Sequence, residues 1–129
     1  MHSGIYSKVA GWIKRNKNMD KDIADILEKY LNLVRYRFSG IETAILFGSY
    51  AKGKAGSYSD IDVALIFSDL KETERFDLQV QLMLIAAQID SRIEPHPISS
   101  AEFKSENPFV HEIQRTGIEI KTWPDIIFK

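Results

Sequence analysis

Cysteine is absent from this 129-residue chain, which excludes a disulfide framework, a thiol nucleophile and a cysteine zinc centre. Excess charge is absent too. With 17 basic and 18 acidic residues the net charge is −1, so there is no global positive field for gripping nucleic acid, and strong nucleic-acid binding is not expected. No apolar run approaches the length needed to span a bilayer. The first residues lack the charged-then-apolar layout of a secretory signal. Repeats, low-complexity tracts and linkers are also missing. What remains is ordinary globular material, 44% apolar and 27% charged, expected to form one small domain in the cytoplasm with a modest core.

The most informative run is residues 47–62, Phe-Gly-Ser-Tyr-Ala-Lys-Gly-Lys-Ala-Gly-Ser-Tyr-Ser-Asp-Ile-Asp. An apolar strand ending at Phe47 runs into Gly48-Ser49, and a loop of small residues leads to Asp60 and Asp62 at the mouth of a second apolar strand. Gly48 permits a sharp backbone turn where a side chain would block a ligand. Ser49 is expected at a helix start, where backbone N–H groups favour an anion such as phosphate. Asp60 and Asp62 are two residues apart, so on extended chain both carboxylates project from one face, roughly 6.6 Å apart along the backbone. Carboxylates converging beside a phosphate cradle suit a hard cation such as magnesium. The pattern points to nucleotide phosphoryl chemistry.

Residues 1–19 hold Lys8, Lys14, Arg15 and Lys17 and no acidic residue. Two readings stand for this basic extension: a short amphipathic helix, or a segment preceding a start at Met19. Asp20 is expected to cap a helix with Ile23, Ile26, Leu27, Tyr30, Leu31, Val34 and Phe38 at helical spacing, stopped by Gly40. Strands are expected over 41–47 and 61–67, both largely apolar and so covered by helices. A helix over 71–88 is expected to bury Phe76, Val80, Met83, Leu84 and Ala87. A third strand over 91–98, broken by Pro95 and Pro97, belongs near an edge. Ser99 and Glu102 form a capping-box pattern, Asn107-Pro108 opens a helix ending at Thr116 and Gly117, and 118–123 reads as a last strand. The fold class is α/β: a small mixed sheet of about three to four strands flanked by helices, in one domain over 20–129. No pair of histidines has metal-ligand spacing. His96 shares a strand face with Glu94 but is read as structural or solvent-facing.

Gly-Ser, a ten-residue spacer and Asp-x-Asp, each attached to an apolar strand, resemble the signature of the DNA polymerase β-like nucleotidyltransferase superfamily. In so short a chain the pattern resembles its minimal nucleotidyltransferase (MNT) branch in particular, over residues 41–122. The resemblance implies that Glu94 supplies the third carboxylate, where many relatives carry aspartate. It also implies that Asp60, Asp62 and Glu94 bind two Mg²⁺ ions and activate the incoming hydroxyl. Gly48 and Ser49 would hold the outer phosphates of ATP, with Lys52 and Lys54 adding positive charge. Attack on the α-phosphate would expel pyrophosphate and leave AMP on an acceptor.

Larger members of the superfamily carry a further helical domain that holds base and acceptor. Within 129 residues there is no room for one, so the acceptor is expected from a partner protein. In the minimal branch that partner is a small helical HEPN protein, and the pair is a toxin–antitoxin module in which the nucleotidyltransferase adenylylates the toxin. A hetero-oligomer would follow. Two alternatives are a small-molecule, antibiotic-type nucleotidyltransferase and a non-catalytic antitoxin that neutralises its partner by contact.

Overall fold

A computed structural model describes residues 21–120 of the chain. The cap expected at Asp20, the basic segment 1–19 and everything after Ile120 lie outside the described residues. Helix α1 spans Lys21–Arg37, with strands β1 (Ile41–Phe47) and β2 (Ile61–Phe67) after it. A 3₁₀ turn (Glu72–Glu74) then leads into α2 (Arg75–Ile89), followed by β3 (Ile93–Ser99), a short α3 (Ser100–Phe103), α4 (Pro108–Thr116) and β4 (Ile118–Ile120). The boundaries of β1, β2 and α4 coincide with those expected from the sequence.

The sheet order is β3-β2-β1-β4. β1 runs antiparallel to both β2 and β4, whereas β2 and β3 run parallel, joined by the crossover through α2. The sheet is therefore mixed and four-stranded. Alternation along each strand sorts its side chains into two cores. Ala44, Leu46, Ile61, Val63, Leu65, Phe67 and Ile93 pack with Ile23, Leu27, Tyr30 and Val34 of α1 and with Leu82, Ile85 and Ala86 of α2. Ile45, Phe47, Ala64, Ile66 and Ile98 turn the other way and pack with Val110 and Ile113 of α4. The Tyr30 hydroxyl, fully buried, donates to the Leu82 carbonyl at 3.0 Å and ties α1 to α2. Burial raises the proton affinity of that phenol, so it stays a donor.

The α2 expectation needs correction. Phe76, Val80, Met83, Leu84 and Ala87 face solvent, Phe76 at 76% exposure, while Leu82, Ile85 and Ala86 form the buried stripe. Two apolar stripes share this helix, and the sheet covers only one.

β3 is an edge strand, as its prolines demand. Residues 95 and 97 point their backbone polar groups away from β2, so proline's missing N–H leaves no gap in the ladder. Their carbonyls are taken by side chains of α2: Gln79 Nε2 donates to Pro95 O at 2.9 Å and Arg75 to Pro97 O at 2.5 Å. Arg75 also pairs with Glu102 at 2.9 Å, so only half of the expected capping box forms. Ser99 Oγ accepts from the Glu102 N–H at 3.0 Å, while the Glu102 carboxylate turns to Arg75. An edge sealed in this way resists pairing with another chain.

Candidate active site

The site lies where β1 ends and β2 and β3 begin. Phe47, Asp62 and Glu94 form one row across three strands: Phe47 pairs with Asp62 on β2, and Asp62 with Glu94 on β3. All three belong to the α4 face of the sheet, where Phe109 of α4 packs edge-on against Phe47. Asp62 and Glu94 are half-buried, and Asp60, just before β2, is exposed.

Gly48 follows Phe47 with φ of 76°, a left-handed conformation that side chains resist. A Cβ there would also overlap Asp62 Oδ2. Glycine is thus required twice, by the turn and by the carboxylate pressed against it. The chain then makes a single helical turn, in which the N–H groups of Ala51 and Lys52 both donate to Gly48 O at 3.1 Å and Lys54 N–H donates to Ser49 O at 3.0 Å. Residues 48–53 are consecutive turns rather than the helix start expected at Ser49. Any anion cradle here is a turn, without the macrodipole of a full helix.

The loop beyond is held from below. Tyr50 is buried, its hydroxyl accepting from Arg92 at 3.1 Å, and Arg92 pairs with Asp90 at 2.9 Å. The Arg92 guanidinium holds the Asp90 carboxyl below its ordinary range, chiefly through their hydrogen bond. Tyr50, Gly53, Gly56, Ser57 and Arg92 line a cavity of about 450 Å³ between this loop and the start of α1. Lys52, a candidate phosphate ligand, instead lies 3.4 Å from Glu112 of α4. Lys54 is exposed.

The electrostatics of the row are those of crowded acids. The Glu94 carboxyl is pushed above its ordinary value by a hydrogen bond with Asp60, then by burial and by the negative charge of Asp60 and Asp62, with His96 opposing. Asp60 thus joins the group through Glu94. Asp62, Glu94 and His96 offer ligand atoms all within 4.8 Å of one another, a grouping that can hold a metal ion. Crowded carboxylates of this kind fit a divalent cation, whose charge would offset their mutual repulsion.

His96, read from the sequence as structural or solvent-facing, comes into contact with the acidic row. Its Nε2 lies 3.2 Å from Asp62 Oδ1, and its ring packs near Phe47 (5.0 Å between centroids) and Phe109 (6.0 Å). The signal available was its place two residues after Glu94 on the same strand face. Which carboxylate it meets depends on the β2–β3 register.

The family model described as "Polymerase beta, Nucleotidyltransferase" matches residues 21–123. A Methanocaldococcus jannaschii protein provisionally named a protein adenylyltransferase is 32% identical over 111 residues, covering 78% of this chain and 72% of that one. Among solved structures, a Sulfolobus solfataricus protein provisionally named a nucleotidyltransferase superposes with a TM-score of 0.56 at 17% identity, covering 95% of this chain and 91% of its own. A chain of a toxin–antitoxin complex crystallised with AMP-PNP superposes with a TM-score of 0.52 at 24% identity, covering 72% and 70%. At these identities the two structures speak for the fold.

Proposed function

This chain belongs to the polymerase β nucleotidyltransferase family, and from that premise we propose that it moves AMP from ATP to a hydroxyl on a partner protein. One observation carries the reading: the in-register row that sets Asp62 beside Glu94, with Gly48 pressed against the Asp62 carboxylate. Asp60, Asp62 and Glu94 would hold Mg²⁺. When bound, that cation neutralises triphosphate charge and stabilises the in-line displacement.

The chain's own residues supply the rest. Gly48 and Ser49 turn backbone toward the outer phosphates and exclude a side chain from their path. Glu94, with its raised proton affinity, takes the proton of the attacking hydroxyl. The cavity beneath the loop has the volume of a nucleoside site. Lys52, engaged with Glu112, reaches the phosphates only by leaving that pair. Catalysis rests on position and charge, with no covalent enzyme intermediate.

The relatives support a protein acceptor. The M. jannaschii protein's name assigns it protein adenylylation, and similar folds occur in toxin–antitoxin complexes. A small helical HEPN-type toxin is the partner that fits, with this chain as its antitoxin. Intact mass spectrometry of co-purifying proteins, before and after Mg²⁺ and ATP, tests this. An adenylyl increment on a partner, lost when Asp60 and Asp62 become Asn, supports it. A stable partner with unchanged mass points to neutralisation by contact, and no partner at all to a small-molecule acceptor.

A further inference from the structure

The contact between His96 and Asp62 has no part in the reaction just described, which uses carboxylates and a turn. The two oxygens of Asp62 meet different neighbours. Oδ1 lies 3.2 Å from His96 Nε2, while Oδ2 occupies the space where a Cβ on residue 48 would stand, on the glycine side. We propose that His96 is a positioning residue, which holds Oδ1 of Asp62 so that Oδ2 stays turned to the glycine turn, where cation and triphosphate meet. The proposal rests on the reading of Asp62 as a cation ligand.

The physical case begins with freedom. The terminal torsion of an aspartate is broad and roughly two-fold, so an unrestrained carboxylate exchanges its oxygens and swings. A ligand that must be frozen on binding gives weaker affinity than one already oriented. A hydrogen bond to one oxygen removes that freedom, provided the donor is itself fixed. His96 meets the condition. Its ring makes an edge contact with Phe47 at 63° and a tilted one with Phe109 at 52°, and those two phenyl rings pack edge-on at 5.7 Å.

Register allows the reach. His96 pairs with Ala64, whose small side chain leaves room for the imidazole to lean two residues along the same strand face to Asp62. The assignment of donor is chemical. A carboxylate only accepts, so Nε2 carries the hydrogen and points it at Oδ1. A nitrogen donating in this way offers no lone pair to a metal, which makes His96 a support for the ligand rather than a ligand.

The test reads cation affinity, independent of turnover. Mn²⁺ binding is measured by calorimetry on the parent, His96→Leu and His96→Gln, with melting curves for each. His96→Leu is expected to weaken Mn²⁺ binding by about 10–100-fold. His96→Gln, whose amide nitrogen reaches about as far as Nε2, should recover most of the loss. Should His96→Leu not fold, His96→Asn takes its place: its amide is too short for Oδ1, so affinity falls while Gln stays near parent. Equal Mn²⁺ affinity in the parent and a folded His96→Leu overturns the positioning role and leaves the cation reading intact. Failure of the parent to bind Mn²⁺ overturns both. Imidazole nitrogen coupling in the parent's Mn²⁺ resonance spectrum, with no recovery in His96→Gln, overturns the proposal in favour of direct ligation.

Discussion

Among the described residues, one face of the sheet lies under two long helices, α1 and α2, and the other under the nine residues of α4 with Phe103 of the short α3 beside them. The same strands serve both. Along β2 the residues facing α1 and α2 are Ile61, Val63, Leu65 and Phe67, all buried and apolar. The residues between them change character along the strand, from Asp62 through Ala64 to Ile66. Ala64 and Ile66 lie in the smaller core with Val110 and Ile113, whereas Asp62 is half-buried beside Phe47 and His96. The thickly covered face fixes where the strands sit. The thinly covered one uses that rigidity to aim carboxylates at water. On the proposed reading, the chemistry lies on one side of this backbone and the larger core on the other.

Substitutions that strike one face alone test this division most sharply. Asp62→Asn keeps shape and removes charge, so nucleotidyl transfer should fall by more than about a hundredfold with the melting temperature almost unchanged. A matching loss of stability would mean that the two faces are not separable. Leu82→Ala, on the other side, should cost about 2–5 kcal/mol in denaturant unfolding because the site is fully buried. Its activity per folded molecule should remain near parent. Gly48→Ala joins the two sides: the left-handed backbone costs about 1–2 kcal/mol, and the added methyl displaces Asp62, so transfer and stability fall together.

The smallest effect is a pH dependence. Glu94 holds its proton more tightly folded than unfolded. The folded state therefore binds more protons as pH rises past the ordinary value of 4.5, and stability declines through the raised folded value. In EDTA, Glu94→Gln should match the parent at low pH and become the more stable of the two above that window. Parallel curves across the range would remove the crowded-acid account.

The α4 face was the more legible from sequence at the level of elements. Phe47, Gly48, Asp60 and Asp62 stand within one short run, and strand periodicity alone puts Asp60 and Asp62 on one side. β1, β2 and α4 begin and end where their apolar runs, Asn107-Pro108 and Gly117 put them. Besides the helix start expected at Ser49, which is a run of turns, a misreading fell on the opposite face. In α2 the set Phe76, Val80, Met83, Leu84, Ala87 and the set Leu82, Ile85, Ala86 both recur at helical spacing. Periodicity detects a stripe without saying which one meets the sheet. His96 escaped for a related reason. A strand pattern gives the face of each side chain, whereas its neighbours come from pairing between segments that local sequence does not encode.

The crossover through α2 also sets a schedule. Asp62 and His96 are 34 residues apart, and at about 5–20 residues per second the ribosome takes roughly two to seven seconds to add the second after the first. In that interval the hairpin of β1 and β2 already carries the glycine turn and both aspartates, while the third acid and the histidine do not yet exist. On the proposed reading a nascent chain holds half of the acidic row, and the row is complete only when β3 docks beside β2, so fragments truncated within the crossover are expected to be inert in nucleotidyl transfer.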